Sequence, residues 1–292
     1  MKKDFKLFCF GFGQVAQYFV QNLIKKNFKF QLVATNTKKT QTKKFKGITY
    51  KTYFFLNNKF DKNLLNDLRS SNKVLISVPP QNKIDIVLKT FSKNFKKNNF
   101  DWVTYLSATS VYGDHKGEWV NEKAKLKSTT RKGVARSFCE SSWLKYYKNF
   151  NLPVQIFRLS GIYSREKNLI KRLKEGRAKV VQKHNHYFSR IHIEDIAEVL
   201  TLSIRKNYPG EIFNISDDYP CSNKEITSFA VKLIKMLMPK KTKLAKINNN
   251  QLKEFYKDSK KINNSKMKKF FKYKLKYPTY KEGLYMISKY KF

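Results

Sequence analysis

The sequence predicts an α/β fold in which a doubly wound parallel sheet is joined to a small C-terminal lobe. Short apolar runs alternate with polar stretches of helix length through the first half of the chain, which is typical of parallel βαβ units. A glycine-rich turn lies between the first apolar run and the first helix-like stretch. The 292 residues, of which 41% are hydrophobic, are enough for such a domain and an added lobe.

Five apolar runs predict the parallel strands in chain order. The first run is Phe5 to Phe10, and apolar residues at helical spacing follow it as far as Ile24. The later runs are Phe30 to Ala34, Val74 to Val78, Trp102 to Leu106 and Val154 to Leu159. Because polar segments of helix length separate most of these runs, we expect parallel strands with right-handed crossovers.

Beyond about residue 160 the regular alternation ends and shorter elements are predicted. They are a basic helix at 168–176, strands at Val180 to Val181 and Phe188 to Ile193, and a helix from Glu194 to Arg205. Ser222 with Glu225, and Thr279 with Glu282, match the capping box, in which a hydroxyl and a carboxylate each bind a free backbone amide. These two patterns predict the starts of two late helices.

The net charge of +41 comes from 62 Lys and Arg against 21 Asp and Glu, and only nine of the basic residues are arginine. Abundant Lys, Asn, Phe and Tyr with few Gly and Pro is what A+T-rich codons encode, so we attribute the excess to genome composition. Arginine, which is scarce here, is the residue preferred for bidentate phosphate recognition. Any nucleic-acid binding, with the lysine-rich segment 239–292 as its source, is expected to be non-specific and lost with salt.

The three cysteines are odd in number and lack metal-ligand spacing, which argues against a disulfide framework and a metal site. We therefore expect a cytoplasmic protein. The stretch from Leu7 to Ile24 carries no charge, but its glutamines, asparagine and glycines favour a buried strand and an amphipathic helix over a membrane span. No membrane partner is predicted, and the 24 Phe and 17 Tyr exclude a disordered chain.

The turn Gly11-Phe-Gly13-Gln14-Val15-Ala16 has the spacing of a dinucleotide-binding loop and its strand-to-helix context. Gly11 permits the tight turn, and Gly13 lets a pyrophosphate approach the backbone. Ala16 allows the helix to pack close to the sheet, while the helix N-terminus faces the anion. A purely structural turn is the alternative.

The end of the second strand predicts the choice between the two nicotinamide cofactors. A site for NAD usually has an acidic residue there to bind the ribose 2′-hydroxyl, yet no Asp or Glu occurs between Asp4 and Asp61. The strand ends instead in Thr35, Asn36, Thr37 and Lys38, whose polar and basic groups suit a 2′-phosphate. The sequence therefore predicts NADP in preference to NAD.

Five segments, taken in order and spacing, resemble a known family. They are Gly11 to Ala16, Leu106 to Gly113, Phe157 to Tyr163, Arg190 to Ala197 and Phe213 to Asp218. The chain is similar over almost its whole length to the extended short-chain dehydrogenase/reductases, and within them to atypical members of the NAD(P)-dependent epimerase/dehydratase branch.

The resemblance implies a Rossmann-type NAD(P)-binding domain at 1–160, completed by the strand at 154–159. Residues 161–292 would mostly form a substrate-binding lobe interleaved with that domain. A small-molecule substrate, often a nucleotide sugar, is implied as well. The resemblance further implies a homodimer formed through the helix at 131–147, although repulsion between two positively charged chains opposes such pairing.

The chemistry of the family relies on a Tyr-x-x-x-Lys pair in the helix after the fifth strand and on a Ser or Thr at the end of that strand. The lysine lowers the pKa of the tyrosine, which then takes a substrate proton. Aligned on Glu140, this chain has Lys132 at the tyrosine position and Arg136 at the lysine position, and the usual serine falls on Ala108. The resemblance thus implies the fold without the usual proton transfer.

Other residues at these positions are the candidates for the site. Thr109, Tyr112 and Arg136 are the catalytic candidates, and Ser110, Tyr163 and Arg190 are the substrate-binding ones. Ser77, Val78, Pro79 and Ser107, near strand ends, join the glycine turn as cofactor-binding candidates. Asp195 and His192 are interpreted as structural residues.

Two functions remain open from the sequence. One is an NADP-dependent enzyme of the epimerase/dehydratase type with an unusual acid/base group. The other is a binding module or redox sensor that holds the nucleotide without hydride chemistry. The missing Tyr-x-x-x-Lys pair favours the second, and the retained segments of the substrate lobe favour the first.

Overall fold

The computed structural model describes residues 4–97, 99–183, 185–243, 253–254 and 256–290. Part of the lysine-rich C-terminal segment, at 244–252, 255 and 291–292, lies outside the described residues. The chain forms two compact units that alternate along the sequence. Unit 1 comprises Met1–Ser107, Val134–Arg158 and Ile196–Phe213, and unit 2 comprises Ala108–Gly133, Leu159–Asp195 and Asn214–Phe292.

Nine strands of the described chain form one sheet, which is built mainly from unit 1. They are β1 (Phe5–Phe10), β2 (Phe30–Asn36), β3 (Gln41–Phe45), β4 (Ile48–Leu56), β5 (Lys59–Phe60), β6 (Lys73–Ile76), β7 (Trp102–Ala108), β9 (Val154–Leu159) and β13 (Ile212–Ile215). Their order is β13-β9-β7-β6-β1-β2-β4-β3, and β5 pairs with β4. All five predicted strands are present in this sheet.

The chain builds the sheet outward from β1 in both directions. β1 is parallel to β2 and to β6, β2 is parallel to β4, and β6 is parallel to β7. The strand order therefore reverses between β1 and β6, where sheets of this kind bind their ligands at the carboxyl ends of the strands. The predicted doubly wound parallel sheet is confirmed.

Helices cover both faces of the sheet within unit 1. They are α1 (Gln14–Lys25), α2 (Leu64–Arg69), α3 (Ile86–Lys97), the part of α4 (Arg131–Phe150) from residue 134 onward, and the part of α6 (Ile193–Arg205) from residue 196 onward. On one face the indole of Trp102 packs 5.9 Å from the ring of Phe19 in α1 and donates to Ser203 of α6 at 3.0 Å. On the other face, residues of α2, α3 and α4 share a core cluster with Phe10 and Tyr105.

The sequence analysis missed β4, although it is one of the parallel strands. Thr49, Lys51 and Thr52 interrupt the first five residues of the strand, and the apolar run that follows them, Tyr53 to Leu56, is only four residues long. Its neighbour β3 is antiparallel and largely exposed at the edge of the sheet. Pairing with β2 and β3, which local sequence does not reveal, makes this segment a strand.

Unit 2 contains short parallel strand pairs and four helices among its described residues. The pairs are β8 (Trp119–Val120) with β15 (Lys261–Ile262), β10 (Gly161–Tyr163) with β12 (Arg190–His192), and β11 (Val180–Gln182) with β14 (Lys241–Lys243). The helices are α5 (Leu169–Lys174), α7 (Asn223–Leu233), α8 (Ser265–Phe271) and α9 (Tyr280–Ser288), and a 3-10 helix spans Thr109–Tyr112. Residues of α5, α7 and α9 share one core cluster.

The two predicted capping boxes differ in the structure. At α9 the box is complete, and the amide of Thr279 donates to Glu282 at 2.9 Å. At α7 the Ser222 hydroxyl accepts from the Glu225 amide at 3.1 Å, but the Glu225 carboxylate accepts from the Tyr280 hydroxyl at 3.2 Å. At α7, one of the two hydrogen bonds of the capping box is thus replaced by a tertiary hydrogen bond to Tyr280. No helix in the described part of the chain is both long and apolar enough to span a membrane.

Candidate functional site

Gly11 ends β1 in a conformation that favours glycine. Its φ is +82°, and a Cβ atom at this position would lie 2.9 Å from the Ser77 hydroxyl oxygen. Its amide donates to Thr35 Oγ1 at 2.8 Å. Backbone conformation and neighbouring atoms therefore both disfavour a side chain at Gly11, and the turn connects the ends of β1, β2 and β6.

Gly13 caps the N-terminus of α1 and is open on the side where a Cβ atom would point. No described chain atom lies within 4 Å of that Cβ position. The first turn of α1 has no acidic residue, and its N-cap, being glycine, supplies no side-chain cap. The amides and the dipole of a helix N-terminus attract anions, so the open backbone at Gly13 fits the diphosphate of a dinucleotide. Gln14 and Val15 follow in the first turn, and Ala16 is buried.

The predicted ribose-binding residues lie at the end of β2. Asn36 Oδ1 accepts from the Lys38 amide at 2.7 Å and so closes the turn that exposes Thr37 and Lys38. Asp61, the next acid after Asp4 in the chain, accepts a hydrogen bond from the Thr40 hydroxyl at 2.7 Å. The turn after β2 therefore presents amide and ammonium groups without a carboxylate of its own.

The end of β6 lies beside the glycine turn. The Ser77 hydroxyl donates to the carbonyls of Phe10 and Gly11, both at 3.0 Å, and so links β6 to β1. Val78 is half-buried and Pro79 is exposed. Three predicted cofactor-binding residues lie at this strand end, Ser77, Val78 and Pro79. The Ser77 hydroxyl is already hydrogen-bonded to the protein backbone.

A buried network holds the end of β7 against α4. The Ser107 hydroxyl donates to Glu140 Oε1 at 2.5 Å, and Glu140 also forms a bidentate ion pair with Arg158, with Nη2 at 2.7 Å. Both side chains of the pair are only 3% exposed. Arg136, one helical turn before Glu140, donates to the Leu106 carbonyl at 3.2 Å. The guanidinium is thus anchored at the strand end through one nitrogen.

Three of the predicted residues lie in the 3-10 helix of unit 2. Tyr112 is fully buried, and its hydroxyl donates to Asn214 Oδ1 at 2.6 Å. Thr109 and Ser110 are half-buried, and the Thr109 hydroxyl forms no hydrogen bond with the described residues. A Cβ atom at Gly133 would clash with the Ser110 carbonyl, which explains the glycine in the first turn of α4. Of the two catalytic candidates that carry a hydroxyl, Thr109 and Tyr112, Thr109 is therefore the more available.

Tyr163 and Arg190 lie on the adjacent strands β10 and β12 of unit 2. The Tyr163 hydroxyl donates to the Thr279 carbonyl at 3.5 Å and lies against Gly283 of α9. Arg190 Nη1 donates to the Phe188 carbonyl at 3.0 Å and to Cys221 Sγ at 3.1 Å. Both side chains are thus engaged within unit 2, and their substrate-binding role stays a prediction.

The structural interpretation of Asp195 and His192 agrees with their surroundings. Asp195 accepts from the Tyr273 hydroxyl at 2.6 Å and from the Lys276 amide at 2.7 Å, which ties the start of α6 to the segment before α9. His192 is buried beside Tyr163 and Tyr277, with ring centroids 5.1 Å and 4.1 Å away.

A cavity of about 450 Å³ lies within unit 2. Its lining is polar and aromatic, and comprises Val181, Lys183, Asn185, His186, Tyr187, Ser222, Asn223, Lys224, Glu225 and Tyr256. We call it the unit 2 pocket. The N-terminus of α7 and two lysines contribute positive charge, while Glu225, the one acid among the described lining residues, is hydrogen-bonded to Tyr280. The pocket therefore suits a polar or anionic small molecule of drug-like size.

Sequence reasoning did not find this pocket or the Glu140–Arg158 pair. The pocket lining comes from three separate segments, 181–187, 222–225 and 256, and no motif marks the first and last of them. The capping box at Ser222 was the one available signal, since it placed a helix N-terminus there. The sequence marked Glu140 only as an alignment point, because its partner Arg158 lies 18 positions away on strand β9.

Residues 80–216 match the model of the NAD dependent epimerase/dehydratase family. The predicted family resemblance is confirmed. Over 162 residues, 48% of this chain, the sequence is 26% identical to the dTDP-D-glucose 4,6-dehydratase of Dictyostelium discoideum. The match covers 36% of that protein, so the chain spans about a third of the length of this relative.

Solved structures of similar fold cover nearly the whole chain. A functionally unknown conserved protein from Silicibacter pomeroyi is 28% identical with a TM-score of 0.85, covering 97% of this chain and 98% of its own. UDP-glucuronic acid 4-epimerase from Bacillus cereus, solved in complex with NAD, is 19% identical with a TM-score of 0.76, covering 96% of both chains. This second likeness shows the fold alone.

Two buried histidines predict how stability depends on pH. Burial lowers the pKa of His192 to about 4, and burial with the nearby Lys183 ammonium lowers that of His186 to about 4. The ordinary value is near 6.5, so between pH 6.5 and 4 the unfolded chain binds protons that the folded chain does not. Each histidine is expected to reduce the free energy of unfolding by up to about 1.4 kcal/mol per pH unit as the pH falls through this window.

The check is urea unfolding at several pH values for the wild type and for the double variant His186→Gln, His192→Gln. The difference in stability between the two proteins is expected to shift in favour of the variant as the pH falls from 6.5 to 4. A difference that does not change with pH would contradict the assignment of neutral histidines.

Proposed function

We propose that this chain is an NAD(P)-dependent oxidoreductase of the epimerase/dehydratase type, acting on a sugar or nucleotide-sugar substrate. The observation that carries the proposal is the open backbone at Gly13, at the N-terminus of α1 and beside the reversal of strand order. The match to the family supports it, as does the nucleotide-sugar activity named for the relatives.

Different residues of unit 1 would hold different parts of the cofactor. The α1 N-terminus at Gly13 would bind the diphosphate, and the turn after β2, with Thr37 and Lys38, would face the adenosine ribose. Because this turn has an ammonium and no carboxylate, we favour NADP over NAD. When bound, the nicotinamide supplies a carbon that accepts or donates a hydride.

The proton has to be handled by a group other than the tyrosine of the family. Lys132 takes that position here and is exposed, and the Arg136 guanidinium offers hydrogen-bond donors but no acceptor. The Tyr112 hydroxyl donates to Asn214 in the buried interior, whereas the Thr109 hydroxyl has no partner among the described residues. We therefore assign Thr109 the role of hydrogen-bonding and orienting the substrate oxygen, which exchanges its proton with solvent water as the hydride moves. We assign Arg136, one nitrogen of which donates to the Leu106 carbonyl, the role of binding a ribose hydroxyl.

The unit 2 pocket is the proposed place for the nucleotide or other polar part of the substrate. Tyr187 and Tyr256 offer aromatic surface, while Lys224 and the α7 N-terminus offer positive charge. Pairing of two chains through α4 remains a further proposal, for which the exposed Phe138 on that helix is the supporting observation.

The test begins with titration of the purified protein by NADPH and NADH, in which NADPH is expected to bind more tightly. The NADPH-loaded protein is then mixed with free and nucleotide-linked carbonyl sugars, and loss of the reduced-nicotinamide absorbance is followed. Thr109→Val is expected to slow this reaction about 100-fold without changing NADPH affinity, because it removes a hydroxyl and keeps the shape. Tighter binding of NADH would overturn the cofactor preference.

The alternative function is a nucleotide-binding module without hydride chemistry. The replacement of the Tyr-x-x-x-Lys pair by Lys132 and Arg136 is the observation that favours it. Intact NADPH binding with no turnover of any sugar in the panel would select this alternative and eliminate the enzyme.

A further inference from the structure

Ser259 joins two loops of unit 2 that are distant in sequence. Its amide donates to Asp114 Oδ1 at 2.8 Å, and its carbonyl accepts from the amides of His115 and Gly117, both at 3.0 Å. Its hydroxyl donates to the Asn185 carbonyl at 3.0 Å and accepts from the Tyr187 amide at 3.1 Å. This residue, only 4% exposed, therefore holds one loop with its backbone and the other with its side chain.

The two loops belong to different parts of the proposed site. Asn185 and Tyr187 line the unit 2 pocket. The loop 114–117 directly follows the 3-10 helix with Thr109 and Tyr112, and Lys260, next to Ser259, donates to the Gly113 carbonyl at 2.9 Å. Residues 259 and 260 thus hold the chain on the C-terminal side of the candidate catalytic threonine.

The loops also pack directly against each other. A Cβ atom at Gly117 would lie 3.1 Å from the Tyr187 ring and 3.3 Å from the Asn185 carbonyl oxygen. Lys261 adds a cation–π contact to Tyr187 at 4.7 Å. This packing leaves little free space. If residues 185–187 move, residues 259–261 have to move with them, because otherwise the buried hydrogen bonds of Ser259 are lost.

We propose that Ser259 is a positioning residue that couples ligand binding in the unit 2 pocket to the conformation of the 114–117 loop, which follows Thr109 and Tyr112 in the chain. The inference rests on the proposed function, since it takes the pocket as the place of the substrate. A ligand that orders Asn185 and Tyr187 also orders the Ser259 hydroxyl between them. The backbone of Ser259 then orders the 114–117 loop, so the substrate helps to set the geometry of the site that acts on it.

Ser259→Ala breaks the contacts of this residue with one loop and keeps its contacts with the other. It removes the hydroxyl bonds to Asn185 and Tyr187 and keeps the backbone bonds to the 114–117 loop. Ser265→Ala is the matched control, because Ser265 is an exposed serine of the same unit at the start of α8. Ser259→Cys keeps a similar volume and a weak donor, and serves if the alanine variant does not fold.

The experiment is hydrogen exchange of the full-length protein, followed by mass spectrometry in peptides covering 113–118 and 185–187, with UDP-glucuronic acid as the probe. In the wild type and Ser265→Ala, the probe is expected to slow exchange in both peptides by about fivefold, the size of a typical net hydrogen-bond contribution. In Ser259→Ala it should slow exchange only at 185–187, and Ser259→Cys should show a partial effect. Equal slowing at 113–118 in Ser259→Ala would overturn the coupling.

The probe-free proteins separate this proposal from the proposed function. Without ligand, Ser259→Ala is expected to exchange faster than the wild type in both peptides, and unchanged exchange at 113–118 overturns the coupling whatever the probe does. If the probe slows neither peptide in the wild type, the nucleotide-sugar assignment of the pocket fails, and the probe-free comparison alone decides the role of Ser259.

Discussion

Replacing Gly13 with alanine is expected to leave the free protein folded and to weaken NADPH binding about 100-fold, which corresponds to about 2.7 kcal/mol. The added methyl group meets no described chain atom within 4 Å, and the backbone φ of −78° suits alanine, so stability should hardly change. The methyl group would occupy the space through which the diphosphate approaches the α1 amides. Calorimetric titration with NADPH and thermal unfolding of the free protein measure the two effects.

Two other glycines provide the controls for this variant. Gly11→Ala should lower stability as well as affinity, because it combines a φ of +82° with a contact of 2.9 Å to the Ser77 hydroxyl. Gly47→Ala imposes a similar strain, with a φ of +85°, in open space, so it should cost stability and leave affinity unchanged. Wild-type affinity for NADPH in Gly13→Ala would remove the main support for the nucleotide site.

Glu140→Gln is expected to reduce the free energy of unfolding by about 3–5 kcal/mol, because it leaves the Arg158 guanidinium buried without a charged partner. Arg158 is 3% exposed, and its paired nitrogens lie 2.7–3.2 Å from the Glu140 carboxylate. The substitution keeps the size of the side chain and an acceptor for the Ser107 hydroxyl. Urea unfolding of the wild type and the variant, monitored by tryptophan fluorescence, measures the loss.

The exposed pair of Arg177 with Glu175 is the comparison for this result. The Arg177 side chain is 66% exposed, so Arg177→Ala should change the free energy of unfolding by no more than about 0.5 kcal/mol. A loss of comparable size in both variants would mean that burial does not set the cost of breaking the Glu140–Arg158 pair.

Strand prediction succeeded where both faces of a strand are buried. The runs at Phe5 to Phe10 and Val154 to Leu159 are almost fully buried, and such strands have sequences rich in apolar residues that are visible locally, even though Lys6, Gln155 and Arg158 lie among them. Segment Ile48–Leu56 has exposed and buried residues mixed with polar ones, and only its neighbours in the sheet identify it. The half-formed capping box at Ser222 has the same cause, since Tyr280, 55 positions away from Glu225, decides where that carboxylate binds.

The residues of the candidate site differ in the same way, since some are marked by local sequence and others depend on distant partners. Gly11 and Gly13 could be proposed as site residues from the sequence, because a tight turn between a strand and a helix imposes its residue types within a few positions. Tyr112 and Ser107 could be placed at a strand end, but the partners of their hydroxyls could not be assigned. Those partners, Asn214 and Glu140, are 102 and 33 positions away.

The doubly wound sheet, the glycine turn and the family resemblance could be predicted, because they depend on short-range patterns of burial and backbone conformation. The pairing of Glu140 with Arg158, the pocket formed by three separate segments and the bridge that Ser259 makes between two loops are visible only in the folded chain. Each of these is a contact between residues far apart in the chain, and long-range packing, rather than local preference, sets which polar groups meet.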